Sequence, residues 1–143
     1  MAIYNDNDYK FVAVLNKKIE IPRLLNALGH ISVGLTSLVE DTKIMEFLKY
    51  EDADGGAHPA ISKFPFIVLS SDNSNKIRTL RNAAIEQGIL YNDFTSSMLG
   101  FSAENQLQQT QTSKEEELEY FAICLFGKAE ILNALTKKFS LFK

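Results

Sequence analysis

The chain has 143 residues, 45% hydrophobic and 23% charged, which is enough apolar surface for one core and too little length for two ordinary domains. Fifteen basic residues against eighteen acidic ones give a net charge of −3, so no global positive field draws nucleic acid, and any RNA contact needs a local basic patch. A lone cysteine, Cys124, excludes an internal disulfide, and no apolar run approaches the roughly 20 residues of a membrane helix.

The polar, acidic start, Met1–Asp8, lacks the basic and apolar segments of a signal peptide, so a cytoplasmic setting and no membrane partner are expected. Lys10–Leu15 (KFVAVL) is a near-continuous apolar run, the mark of a strand buried on both faces. After the turn Asn16–Ile21, Pro22 suits the first position of a helix, where its missing N–H is no loss; Leu24, Leu28, Ile31, Leu35 and Leu38 then share one face. Ile44–Tyr50 alternates weakly as a strand. The strong turn signal Asp52-Ala53-Asp54-Gly55-Gly56 follows it, and the excursion returns through Phe66–Leu69 (FIVL), a second central strand.

Ser70-Ser71-Asp72 offers capping oxygens for a helix over Asn73–Gln87, Gly88 is placed to end it, and Ile89–Tyr91 reads as a short strand. Phe94–Phe101 is ambiguous. Residues 102–114 form a Gln/Thr/Ser-rich tract expected as an exposed polar loop, with Glu115–Glu117 and Glu119 as solvated charge. Tyr120–Phe126 (YFAICLF) is the last buried strand and Lys128–Phe139 the last helix, with Ile131, Leu132 and Leu135 inward.

This alternation predicts a single α/β domain over residues 1–143, with a polar N-terminal tail at 1–8. Its expected form is a three-layer sandwich: a mainly parallel mixed sheet of four to five strands with helices on both faces. Ligands in such sheets bind beyond the carboxyl ends of strands, here Asn16–Pro22, Ser70–Asp72, Asn92–Thr95 and Gly127.

On the first helix Arg23, Ala27, His30 and Gly34 fall on one stripe with Asn26 beside them. Two readings compete. Either the small residues permit tight helix–sheet packing and His30 is a hydrogen-bonded, half-buried side chain, or the stripe lines a ligand site. Asp93 stands at a strand's carboxyl end, where a carboxylate orients water or accepts a proton, but Asn92-Asp93 equally suits an N-cap for Phe94–Leu99.

Glu51, Asp52, Asp54 and His58 carry hard-metal donors without calcium-loop spacing or a second histidine, so a solvated turn and no metal are expected. Cys124, between Ile123 and Leu125, reads as an inert buried thiol. No Gly-x-Ser-x-Gly motif and no glycine-rich phosphate loop follows a strand, so no cofactor is expected. Lys76, Arg78 and Arg81 read as the wet face of the second helix.

The order of elements, with Arg23-Leu24-Leu25-Asn26-Ala27-Leu28-Gly29-His30 opening the first helix, resembles the type-2 peptidyl-tRNA hydrolases. More closely, the chain from about Lys10 onward resembles an uncharacterised bacterial family of the same fold, domain of unknown function 2000. The anchors are the strand–helix opening, the turn Tyr50–Gly55, the Asp93 region and the final strand–helix unit. The hydrolases follow a pattern like K-x-A-A-Q-x-x-H. Here Arg23 stands at the lysine, Ala27 at the glutamine, His30 keeps the histidine, Asp93 matches a later aspartate, and a site threonine falls near Tyr120.

Arginine does not readily release a proton and alanine has no polar group, so two of four chemical roles are altered or lost. The resemblance therefore implies a peptidyl-tRNA hydrolase II-like fold that binds a small polar or anionic ligand through Arg23, Asn26, His30 and Asp93. A divergent ester or amide hydrolase is the alternative, with Asp93 or His30 activating water and Arg23 facing the oxyanion. A protein-interaction subunit acting as a homodimer is the third.

Overall fold

A computed structural model describes residues 8–143, so residues 1–7 of the expected polar tail lie outside the described residues. The organising strand is β1, Tyr9–Asn16. Its alternating side chains serve two cores: Phe11, Ala13 and Leu15 face one side of the sheet, Val12 and Val14 the other. That double burial is what the unbroken apolar run encodes.

Helix α1, Ile21–Ser37, has Pro22 in its first turn, one residue after the position expected. It buries Leu24, Ala27, Ile31 and Leu35 on the Phe11 face, a stripe with helical spacing. Leu28 packs only partly against that core. Leu38, expected inward, lies just past the helix end and is exposed.

A 3-10 turn over Thr42–Met45 and a left-handed Glu46 come before β2, Phe47–Glu51, so the expected strand at Ile44 starts three residues late. Strand β3, Ala57–Ser62, pairs antiparallel with β2 in a separate two-stranded sheet. Leu48 faces Ile61 and Tyr50 faces His58, leaving Pro59 and Ala60 opposite Lys49 alone. A proline is tolerated there because the bulge has no ladder bond for it to break.

Strand β4, Phe66–Ser71, runs parallel to β1 from Phe11↔Phe66 to Asn16↔Ser71. Because Ser70 and Ser71 continue that strand, the cap of α2, Ser74–Glu86, is Asn73, whose side chain accepts the Lys76 N–H at 2.9 Å. Gly88, at φ +68°, turns the chain out of α2 as expected. Strand β5 covers Leu90–Thr95, α3 Ala103–Thr112, β6 Tyr120–Lys128, α4 Ala129–Thr136, and β7 is the pair Ser140–Leu141.

The main sheet has the order β5-β6-β1-β4-β7, a mixed α/β sheet with α1 on one face and α2 and α4 on the other. The expectation of a mainly parallel sheet is corrected. Only one ladder, β1 with β4, is parallel, because β6 inserts between β1 and β5 and runs against both, and β7 runs against β4. Burial on both faces comes from the helices above and below, whichever way the strands point.

The 102–114 tract is likewise not a loop. It is exposed as expected but helical, with Ser102 accepting the Asn105 N–H. Strands β1, β4 and β5 share a direction, so Asn16, Ser71 and Thr95 line one end of the sheet. Gly127 is instead opposite Lys10, at the other end, since β6 is reversed.

Candidate functional site

The stripe on α1 leads to a cleft at the β5 edge. His30 is exposed and its ring stacks over Phe94, with centroids 6.2 Å apart and planes at 29°. Beside the pair lies a cavity of about 280 Å³ bordered by Ile31, Asn92, Asp93, Met98 and Gln106 of α3. Arg23 and Asn26, two turns and one turn nearer the helix start, are exposed on the same side of α1. Among the described residues neither Arg23 nor His30 has an ion pair or a side-chain hydrogen bond. The half-buried, hydrogen-bonded histidine of the plain reading is therefore corrected.

The small residues of the stripe divide. Ala27 is fully buried in the core, so this position presents no polar group. A Cβ on Gly34 would lie 2.5 Å from Asn92 Nδ2. That amide donates to the Ile31 carbonyl at 3.1 Å while its Oδ1 accepts the Asp93 N–H at 3.0 Å. Gly34 thus lets β5 approach α1, whereas Gly29 has open space around it.

The far wall is held by hydroxyls. Thr110 Oγ1 donates to the Gln106 carbonyl at 2.8 Å, so it accepts from Ser97 Oγ at 2.7 Å, and Ser97 in turn accepts from Thr95 Oγ1 at 2.8 Å. The chain has one direction because its last acceptor is a carbonyl. It pins α3, which buries no residue of its own, to the end of β5, and the relay was not singled out from the sequence.

Asp93 borders the same cavity as His30, but its carboxylate is paired elsewhere. It lies within β5, opposite Ile123, because the strand runs to Thr95 rather than stopping at Tyr91. Successive strand residues point to opposite faces, so Asn92 turns to α1 and Asp93 to α2. There its Oδ2 accepts from Arg81 Nε at 2.9 Å. Burial raises the Asp93 pKa from its ordinary value, more than Arg81 lowers it. Nor does Asn92-Asp93 cap a helix: Thr95 precedes a 3-10 turn, Ser96–Met98. Of the two groups expected to activate water, the Asp93 carboxylate is thus engaged by Arg81, whereas His30 has no hydrogen-bond partner among the described residues.

Arg81 opens a second cluster on that face. Its guanidinium lies 5.7 Å from the Tyr91 ring centroid and 5.9 Å from that of Tyr120. Tyr120 is buried, donates its hydroxyl to Glu115 Oε2 at 2.7 Å, and shares Glu115 with Arg78 Nε, also at 2.7 Å. Burial and that hydrogen bond push the phenol pKa up.

Arg78 and Arg81 therefore face inward rather than forming a wet face, and Glu115 is engaged rather than merely solvated. Tandem arginines three apart on α2 were the available signal, but their partners lie 12 and 37 residues away. Nearby, Asn16 donates its buried amide to the Tyr120 carbonyl at 3.0 Å and accepts the Lys18 N–H, joining the end of β1 to the start of β6.

The acidic turn is local structure. Asp52 Oδ1 accepts the N–H groups of Asp54 and Gly56, and Oδ2 meets His58 Nε2 at 3.0 Å. The Gly56 bond, then His58, lowers the Asp52 pKa. Cys124 is buried in mid-strand, and burial pushes its thiol up to about 12.

A family model described as "Protein of unknown function (DUF2000)" matches residues 9–143. Among solved structures, Atu0240, a protein of unknown function from Agrobacterium tumefaciens strain C58, aligns with a TM-score of 0.81 at 18% identity. The alignment covers 95% of this chain and 98% of that one, and at this identity it establishes a shared fold alone. No curated protein matches the chain.

Proposed function

The chain belongs to the DUF2000 family of proteins of unknown function, and from that premise we propose that it binds a small anionic or polar molecule in the cleft between α1 and α3. The observation that carries this is His30, an exposed imidazole stacked on Phe94 beside a cavity and without a hydrogen-bond partner among the described residues. Arg23 supplies permanent positive charge on the same side and Asn26 a neutral amide, while Phe94 and Met98 give an apolar floor. Such a mix, mainly apolar with few polar groups, suits a ligand that is small and partly aromatic or aliphatic. Asp93 contributes by fixing β5 through Arg81.

The peptidyl-tRNA hydrolase II-like fold is part of this proposal, supported by Arg23 and His30 on the first helix. So are a one-domain organisation, on the core that β1 supplies to both faces, and a cytoplasmic setting, on the single buried thiol. No described helix is long and apolar enough to cross a membrane.

The test is a thermal-shift titration with small carboxylates and phosphates. A ligand at about 100 times its Kd stabilises the fold by about 2.7 kcal/mol, which reads as a Tm shift of several degrees. Arg23→Ala and His30→Ala abolish it. No shift from any anion, or a shift indifferent to both substitutions, defeats the proposal.

A second reading, self-association through β2, rests on a separate observation. Phe47, Leu48, Tyr50 and Ile61 of the two-stranded sheet are between 42% and 63% exposed. A lone two-stranded ribbon is marginal in water. A two-fold axis through Tyr50 would set Lys49 opposite Glu51 of the second copy, twice over, on one face of a continuous four-stranded sheet. Light scattering should give a dimer that Lys49→Glu dissociates and that the swap Lys49→Glu with Glu51→Lys restores. A monomer at every concentration ends this reading.

A further inference from the structure

The face opposite the α1 cleft carries a cavity of about 440 Å³ between α2 and α4. Its volume lies within the range of small-molecule sites. The floor is carbon: Leu80 and Ala83 from α2, Ala134 and Leu135 from α4, and Phe139 just beyond. Leu135 and Phe139 are only partly buried against the core, so their outer surfaces remain to be covered. The rim is basic, with Lys76 from the first turn of α2 and Lys137 and Lys138 at the end of α4.

Lys76 is held by Asp72 at 2.9 Å, whereas Lys137 and Lys138 have no ion pair among the described residues. In a chain of net charge −3 this is a local reversal of sign. It stands beside Asn73 and Asn75, at the positive end of the α2 dipole.

We propose that this groove holds a single amphipathic anion, a medium-length acyl chain ending in a carboxylate. The acyl chain would cover Ala134, Leu135 and Phe139 while the carboxylate meets Lys137, Lys138 and the first turn of α2. A purely polar anion would leave the carbon floor wet, and a neutral acyl alcohol would leave the lysines unanswered. The occupant therefore needs both parts. The site is separate from the His30 cleft, on the other face of the sheet, so either stands without the other.

Isothermal titration calorimetry of the full chain with decanoate, decan-1-ol and acetate tests this. Decanoate is expected to bind once per chain, decan-1-ol at least about tenfold more weakly, and acetate not measurably. The double substitution Lys137→Glu with Lys138→Glu weakens decanoate by at least about tenfold, and Leu135→Trp, which fills the groove, blocks it. Circular dichroism of each variant checks that the fold is kept, and Lys137→Arg with Lys138→Arg preserves binding whatever the fate of the glutamates.

Equal affinity for decanoate and decan-1-ol, binding indifferent to charge reversal, or no binding by the folded wild-type chain overturns the proposal. So does retention of the protein on anionic phospholipid vesicles that decanoate fails to displace, since the groove would then be serving a membrane surface.

Discussion

Replacing Arg81 by Met probes the pair on the α2 side of β5, keeping an unbranched stem while removing the cation that meets Asp93. Cutting one partner of a fully enclosed ion pair costs about 3–5 kcal/mol. Here the Asp93 and Arg81 side chains retain 15% and 24% of their exposure. Solvent screening brings the expected loss to about 2–3 kcal/mol, of which about 0.5–1 kcal/mol is the contact with the Tyr91 and Tyr120 rings.

The pH dependence supplies the sign. Burial already holds the folded Asp93 pKa above its ordinary value. A carboxyl shifted this way contributes stability that is complete below the unfolded pKa and is lost as pH rises through the folded one. Without Arg81 the folded pKa climbs further, and the loss extends to higher pH. Urea unfolding between about pH 4 and pH 8 should therefore show a gap between wild type and Arg81→Met that widens as pH rises. With Asn at position 93 the same substitution should cost no more than about 1 kcal/mol. A gap constant across pH, or an undiminished cost in the Asp93→Asn background, refutes the reasoning.

Three further outcomes follow from contacts described above. Gly34→Ala should destabilise by about 1 kcal/mol, the helix-propensity gain being outweighed by displacement of the Asn92 amide; in an Asn92→Ala background it should instead stabilise by about 1 kcal/mol. Thermal melts of the four proteins decide between reversal and no reversal of sign. Ser97→Ala strands the Thr95 hydroxyl and removes the donor to Thr110, which costs about 1–3 kcal/mol and speeds amide exchange across 103–112 more than across β1. Cys124, with its thiol pushed up to about 12, should resist a thiol reagent near pH 8 in the native protein and react stoichiometrically in denaturant.

The parts of the fold readable in advance were those written in a single stretch of chain. The run Phe11–Leu15 announced its own double burial, and Leu24, Ile31 and Leu35 announced the buried face of α1. Strand order was not readable, because an apolar strand between two helical layers has the same pattern in either direction. Helix α3 escaped notice since it has no apolar stripe; a serine cap and a relay of hydroxyls hold it, and the relay joins residues across a turn.

The site shows the same division. His30 and Arg23 could be placed from helical spacing alone. Asp93 was expected just past a strand's end, whereas β5 extends four residues past Tyr91 and holds the carboxylate within the strand, where one residue decides the face. Its partner Arg81, and the Glu115–Tyr120–Arg78 set, are tertiary contacts that no local pattern announces.

The position of β6 bears on how the chain is made as well as on what it becomes. During synthesis β1, β4 and β5 emerge first, yet β6 joins β1 to β5 and its first residue is number 120. Until then β1 has an open edge toward an absent neighbour, and the Asn16 amide has no Tyr120 carbonyl to bond, a contact spanning 104 positions. Folding must close that long loop before the sheet is continuous, which favours slow, late consolidation. The nascent chain passes through a stage in which one edge of a largely apolar strand is left unpaired, the circumstance in which newly made proteins depend on chaperones.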